Sequence, residues 1–233
     1  MNTNKKTARI VGVLFLTAMV TSLLGGGLLE SILNASDYLI NVSANTTQIS
    51  IGMYLELISS IAVVGIAVMT FPIFKKHNEA LALGYVGFRI IESLFMIVSA
   101  IIPLSLITLS QEYLKAEVSN APYFQTLGTL LIGARANLAG LLIPIFLSLG
   151  ALLFYYLLYQ SKLIPRFISV WGFIGVASIL LLNLLKVNVT IGIFLALPII
   201  LNEIFLGIWL IVKGFNSSAI ASGSVKTDNN EIK

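Results

Sequence analysis

Five ionisable side chains interrupt an otherwise apolar chain: Glu56, Arg89, Glu92, Arg135 and Glu203, the last preceded by Asn202. Carboxylates and guanidinium groups in such company can bind a solute, an ion or a proton, or can lock helices together through buried pairs. Arg89 and Glu92 stand three apart, which puts both on one face of a helix. Tyr85, Met96 and Ser99 continue that face.

Other chemistry finds little footing. Cysteine is absent, which excludes disulfides, thiol redox chemistry and cysteine-ligated metals. The one histidine, His77, follows Lys75 and Lys76 in a polar gap and reads as a solvated loop residue. Gly25, Gly26 and Gly27 precede neither a lysine nor a phosphate-binding helix start, so they make no P-loop. No Gly-x-Ser-x-Gly elbow and no His-Glu-x-x-His pattern occurs. No catalytic residue, cofactor site or metal site is assigned, and the sequence leans against an enzyme.

The elements that must carry these charges are transmembrane helices. Of 233 residues, 58% are hydrophobic and 10% charged, and the mean hydropathy is +0.98. A soluble domain averages roughly 25% charged residues. Here the apolar residues fall in long blocks, which identifies lipid as the solvent. Six blocks, about 10–29, 51–74, 83–109, 127–159, 167–185 and 191–212, each approach the roughly 20 residues that a span needs. The spacing predicts an all-α bundle of six spans in a single domain over 1–213. The fourth block exceeds a bilayer's thickness, and Pro144 can kink it. Only residues 186–190 part the last two blocks, which predicts a tight hairpin. The first block is too long for the apolar region of a signal peptide and has no cleavage site, so it reads as a retained span.

Lysine and arginine orient the bundle. With both termini cytoplasmic, the inner segments hold Lys5, Lys6, Arg9, Lys75, Lys76, Lys162, Arg166, Lys213, Lys226 and Lys233, against Lys115 and Lys186 outside. That asymmetry predicts a multi-pass protein with its N- and C-termini on the cytoplasmic side. Tyr155, Tyr156, Tyr159, Phe167 and Trp171 fall at an inner boundary as an aromatic belt would, and Trp209 does the same near the end of the last span. The outer loops, about 30–50, 110–126 and the hairpin turn, are too short for a domain of their own. The tail, 214–233, is rich in Ser, Asn and Lys and is expected to be disordered and cytoplasmic.

A charge at the bilayer centre costs roughly 2.5–3.5 kcal/mol even on the lenient insertion scale, so these groups must face inward and pair. At about 1.5 Å per residue, Glu56 and Arg135 lie roughly 8 and 12 Å below the outer boundary. Arg89, Glu92 and Glu203 lie roughly 8–14 Å above the inner one. Two layers follow: Glu56 with Arg135, and Arg89 with Glu92 and Glu203. The second holds two carboxyls for one arginine, an imbalance of the kind a proton-coupled carrier needs. Stripes of small and hydroxyl residues mark the inward faces: Thr17, Thr21 and Gly25; Ser59, Ser60, Ala67 and Thr70; Ala136 and Gly140; Gly192, Ala196 and Gly207. The fifth span has no ionisable residue and is expected at the periphery.

Three segments carry a resemblance. Residues 80–93 (ALALGYVGFRIIES), 161–175 (SKLIPRFISVWGFIG) and 202–214 (NEIFLGIWLIVKG) resemble the signature of a bacterial integral membrane family, domain of unknown function 4386. The resemblance covers nearly the whole chain up to the polar tail. It implies a multi-span bundle in a bacterial cytoplasmic membrane and supplies neither an activity nor a catalytic residue.

Three functions remain open on the sequence alone. A buried polar core with little mass outside the membrane fits a small-solute or ion permease-like component. Small-residue stripes fit an accessory or envelope-stress protein that binds partner helices or a second copy. An intramembrane enzyme on lipid-like substrates is the third. The lipid bilayer is the one partner every reading requires. With no aromatic-studded basic stripe, nucleic acid is not a partner.

Overall fold

The computed structural model describes residues 3–117, 120–185, 189–216 and 218–219. Among them the regular elements are all helical. They are α1 (Thr3–Leu33), α2 (Tyr38–Ala44), α3 (Thr46–Phe74), α4 (Glu79–Lys115), α5 (Ala121–Asn137), a π-helical turn (Leu138–Leu142), α6 (Ile143–Ser161), α7 (Arg166–Leu185) and α8 (Val189–Val212). Five helices, counting α5 to α6 as one, are long and apolar enough to cross a bilayer. A sixth apolar stretch, Ala196–Val212, lies within α8. The chain is a polytopic helical membrane protein.

Burial is inverted relative to a soluble protein. Large apolar side chains such as Ile61, Leu130 and Leu185 stand 69%, 65% and 70% exposed. Ser59, Ser60, Thr70, Ser93, Ser148, Ser169 and Asn202 are buried. In lipid, apolar surface gains nothing by hiding, whereas a polar atom must find a partner inside the protein. Many of these hydroxyls do so on helix carbonyls. Ser59 donates to Ala18 of α1 at 2.9 Å and Ser93 to Ser60 of α3 at 3.1 Å.

The helices begin and end where backbone chemistry directs. The Asn78 carboxamide accepts the Leu81 N–H at 3.0 Å and caps the start of α4. Gly214, with φ of 76°, is the left-handed residue that stops α8. Lys162 holds the same left-handed conformation, φ 56°, after α6, at a cost of about 1–2 kcal/mol for a residue with a Cβ. Pro144, the second residue of α6, has no N–H for the carbonyl one turn back, and its ring crowds that turn. The chain widens there into the π-helical turn 138–142.

The helices reach beyond the apolar blocks. Most of the expected outer loop 30–50 is helical: α1 continues to Leu33, α2 forms a short helix, and α3 starts at Thr46. The expected hairpin turn is only partly visible, since 186–188 lie outside the described residues, as do 220–233 of the expected tail. The start of that tail is packed: Phe215 and Ala219 join a hydrophobic core, and the Asn216 N–H donates to the Leu163 carbonyl at 2.8 Å.

Backbone contacts divide the chain into two compact units. The first comprises 1–17, 62–92 and 144–233, with a core of Phe15, Ile66, Phe74, Tyr85, Phe154, Tyr155 and Leu206. Within it the Phe154 ring meets Phe15, Phe74, Tyr85 and Tyr155 at 5.3–5.6 Å. The second unit, 18–61 and 93–143, is built on Leu29, Ile32, Val42, Ile49 and Leu106. Tyr155, expected in an aromatic belt, is instead 1% exposed in the first core, while Tyr156 and Tyr159 are exposed. Ala136 and Gly140, expected at a tight helix contact, are exposed, and a Cβ at Gly140 would meet nothing within 4 Å.

Candidate functional site

The second unit carries a polar cavity. Arg135 of α5 meets Glu56 of α3 through both terminal nitrogens, Nη2 to Oε1 at 2.5 Å and Nη1 to Oε2 at 3.0 Å. This is the parallel two-bond fork that guanidinium and carboxylate groups favour. Nη1 also donates to the Ser99 carbonyl of α4 at 2.7 Å and to its hydroxyl at 3.1 Å. Three helices are tied at one guanidinium. The side chains of Arg135 and Glu56 are 9% and 16% exposed, so the pair is nearly buried yet reachable.

Space opens beside this pair in a cavity of about 400 Å³. Ser22, Gly26 and Glu30 line it from α1, four residues apart and therefore on one face, and Met96 and Ser99 line it from α4. Ala139, in the π-helical turn, and Ile143 close another side. π-Turns inside α-helices recur at functional sites. The glycine triplet of α1 divides its labour. A Cβ on Gly25 would stand 2.9 Å from the Gly52 carbonyl and 3.1 Å from Glu56 Cγ, so its hydrogen lets α3 approach and seats Glu56. A Cβ on Gly26 or Gly27 would meet nothing within 4 Å, and both residues line the cavity.

The first unit holds the other charges. Arg89 pairs with Glu92 on its own helix at 2.7 Å, and their side chains are only 5% and 2% exposed. The Arg89 guanidinium lies 5.7 Å from the centre of the Tyr85 ring. Gly150 of α6 packs beside this arginine: a Cβ there would lie in ordinary contact with Arg89 Cδ at 3.4 Å. Arg89 Nε and Tyr85 Oη are buried with no hydrogen-bond partner among the described residues. Glu203 of α8 is half-buried, and makes no ion pair or hydrogen bond among the described residues. Of the expected inner layer of Arg89, Glu92 and Glu203, the direct ion pair forms between Arg89 and Glu92, while Glu203 stands near enough to feel the charge of both. A partner three residues away is reached without fixing a second helix.

Asn202 has a structural part. Its carbonyl accepts the Tyr155 hydroxyl at 2.7 Å and its amide donates to the Ile168 carbonyl at 2.9 Å, joining α6, α7 and α8. Among the described residues no three His, Asp or Glu gather as they would around a metal ion.

Sequence reasoning missed Glu30, assigned to a loop because the apolar block stops before it. The four-residue step Ser22, Gly26, Glu30 is the signal that extends the helix face to it. Ser99 was placed on the face of Arg89 and Glu92, yet it serves Arg135. One long helix carries both charged groups, and Ser99 lies in the other unit from Arg89.

Compared with known proteins, residues 10–214 match a family model, which covers most of the chain. No curated protein and no solved structure matches it.

Proposed function

This chain belongs to the family described as Domain of unknown function (DUF4386), and we propose that it is a small-solute or ion permease-like component of the cell membrane. The observation that carries this reading is the cavity beside Glu56 and Arg135. A pair meant only to hold helices is best sealed, because water competes for its bonds. This pair borders open space of about 400 Å³, a volume within the range of ligand pockets. The bidentate pair is neutral as a whole, yet Arg135 retains further N–H groups and Glu56 further lone pairs. Ser22 and Glu30 add a hydroxyl and a second carboxylate. Such a lining suits a small solute that brings both donors and acceptors more than it suits a bare anion. Both termini lie inside on the strength of the lysine and arginine asymmetry, and the cytoplasmic membrane is what the family resemblance implies.

The test is entry of four probes into proteoliposomes: glycine, erythritol, acetate and rubidium. Glycine or erythritol is expected to enter faster than in protein-free liposomes, and Glu56→Gln is expected to slow that entry several-fold. Equal entry of all four with and without protein would contradict the reading.

A further inference from the structure

A second cavity, of about 510 Å³, lies in the first unit where the turn between α6 and α7 meets the end of α8. Lys162, Arg166 and Lys213 line it, three cations from two places in the chain, and no acidic residue does. All three are exposed, and none forms an ion pair among the described residues. The backbone holds them together: the Asn216 N–H donates to the Leu163 carbonyl, which ties the segment after α8 to the turn. Lys162 occupies the left-handed position after a helix, where glycine or asparagine is the usual residue. A cation stands where a residue without a side chain would fit more easily.

Beside these cations runs an apolar groove of about 240 Å³, walled by Tyr156, Tyr159, Val170, Phe173 and Ile174. Arg166 joins the two. Its guanidinium lies 4.9 Å from the centre of the Tyr159 ring. Arg166, Val170, Phe173 and Ile174 also follow at the i, i+4, i+7, i+8 spacing of one face of α7. A ligand filling both features needs an anionic head and an apolar chain. The same turn is where the charge distribution puts the cytoplasmic membrane boundary, and basic pockets at that level are suited to anionic headgroups.

We propose that cavity and groove form one binding site for an anionic phospholipid. Its phosphate sits among Lys162, Arg166 and Lys213, with Arg166 bridging two oxygens through its planar fork. One acyl chain lies along the tyrosines and the exposed face of α7. The site is separate from the solute cavity and stands whether or not that cavity conducts.

Native mass spectrometry of the full chain in a non-ionic detergent tests it, with dioleoylphosphatidylglycerol, dioleoylphosphatidylcholine and inorganic phosphate as probes. Phosphatidylglycerol is expected to bind at least tenfold tighter than phosphatidylcholine, and inorganic phosphate is expected not to compete at equal concentration. Arg166→Gln with Lys213→Gln should remove at least tenfold of the preference, and Val170→Trp, which fills the groove, should weaken both lipids. Where the double variant does not purify folded, Lys162→Gln alone should cost about threefold of the preference, as loss of one phosphate contact. Equal binding of the two lipids, or a preference untouched by these substitutions, would overturn the proposal. So would competition by inorganic phosphate as strong as by lipid, which would give the cavity to a free anion.

Discussion

Arg135 donates to four oxygen atoms, two on Glu56 and two on Ser99, and much of the second unit's polar chemistry depends on it. Removing one partner of a buried pair costs about 3–5 kcal/mol in soluble proteins, whereas polar contacts in membranes average about 0.6 kcal/mol. With Glu56 16% exposed, Glu56→Gln and Arg135→Ala should each lose about 1–3 kcal/mol of stability in detergent unfolding. The double variant should lose less than their sum, because each single change strands the other group. Strict additivity would mean that the pair carries no coupling. The first unit ranks two couplings. Since Arg89 forms its ion pair with Glu92, Arg89→Ala and Glu203→Ala should couple less strongly than Arg89→Ala and Glu92→Gln. Coupling between Arg89 and Glu203 as strong as between Arg89 and Glu92 would restore the cross-helix pair. The sequence contained the Glu56–Arg135 pair as two charges at similar depth on different spans. It contained Arg89–Glu92 as a three-residue step, and could not rank that step against Glu203, since depth alone does not say which way a helix face turns. Tyr155 was illegible for the same reason. Its neighbours Tyr156 and Tyr159 are exposed, and it is separated from them by packing against Phe154 and Gly172 and by its hydrogen bond to Asn202.

At the scale of elements, glycine controls how closely the helices approach. Hydropathy located the six apolar helices, because a span's length is set by the bilayer. It could not show that α1 runs on to Leu33 or that 38–44 form a helix, because polar residues at helix ends leave no apolar signature. It could not separate the three adjacent glycines either. Gly25→Ala should lower detergent thermostability, as its methyl would meet the Gly52 carbonyl and Glu56. Gly26→Ala and Gly27→Ala should leave stability unchanged or raise it by up to about 1 kcal/mol, the helix preference of alanine over glycine. Thermal unfolding of the three variants side by side decides this, and equal losses at all three would contradict the assignment of Gly26 and Gly27 to open space. Gly12 and Gly207 make a second such contact. A Cβ on Gly12 would stand 2.5 Å from the Gly207 carbonyl, which lets α1 and α8 touch backbone to backbone within the first unit.

For the whole molecule, composition decides the solvent and charge decides the orientation. Exposed apolar side chains and buried hydroxyls are the structural counterpart of a chain with 10% charged residues. In the cysteine-free protein, Asn45→Cys and Glu117→Cys should react with an impermeant thiol reagent added outside intact cells, and His77→Cys should react only after lysis. The reverse pattern would invert the topology drawn from lysine and arginine. The central claim is that the cavity at Glu56 and Arg135 is open to small polar molecules although it lies within the spans. Its most direct test is the rate at which a small, charged methanethiosulfonate labels single cysteines at Gly26 and Met96, which line the cavity, and at Ile61, an apolar position 69% exposed on α3. The account expects Gly26→Cys and Met96→Cys to react within about tenfold of Asn45→Cys, Ile61→Cys to stay unreactive in lipid, and labelling at Gly26 to slow when the cavity is narrowed by Ser22→Phe. Silence at both cavity positions, or reaction at Ile61 as fast as at Gly26, would contradict it.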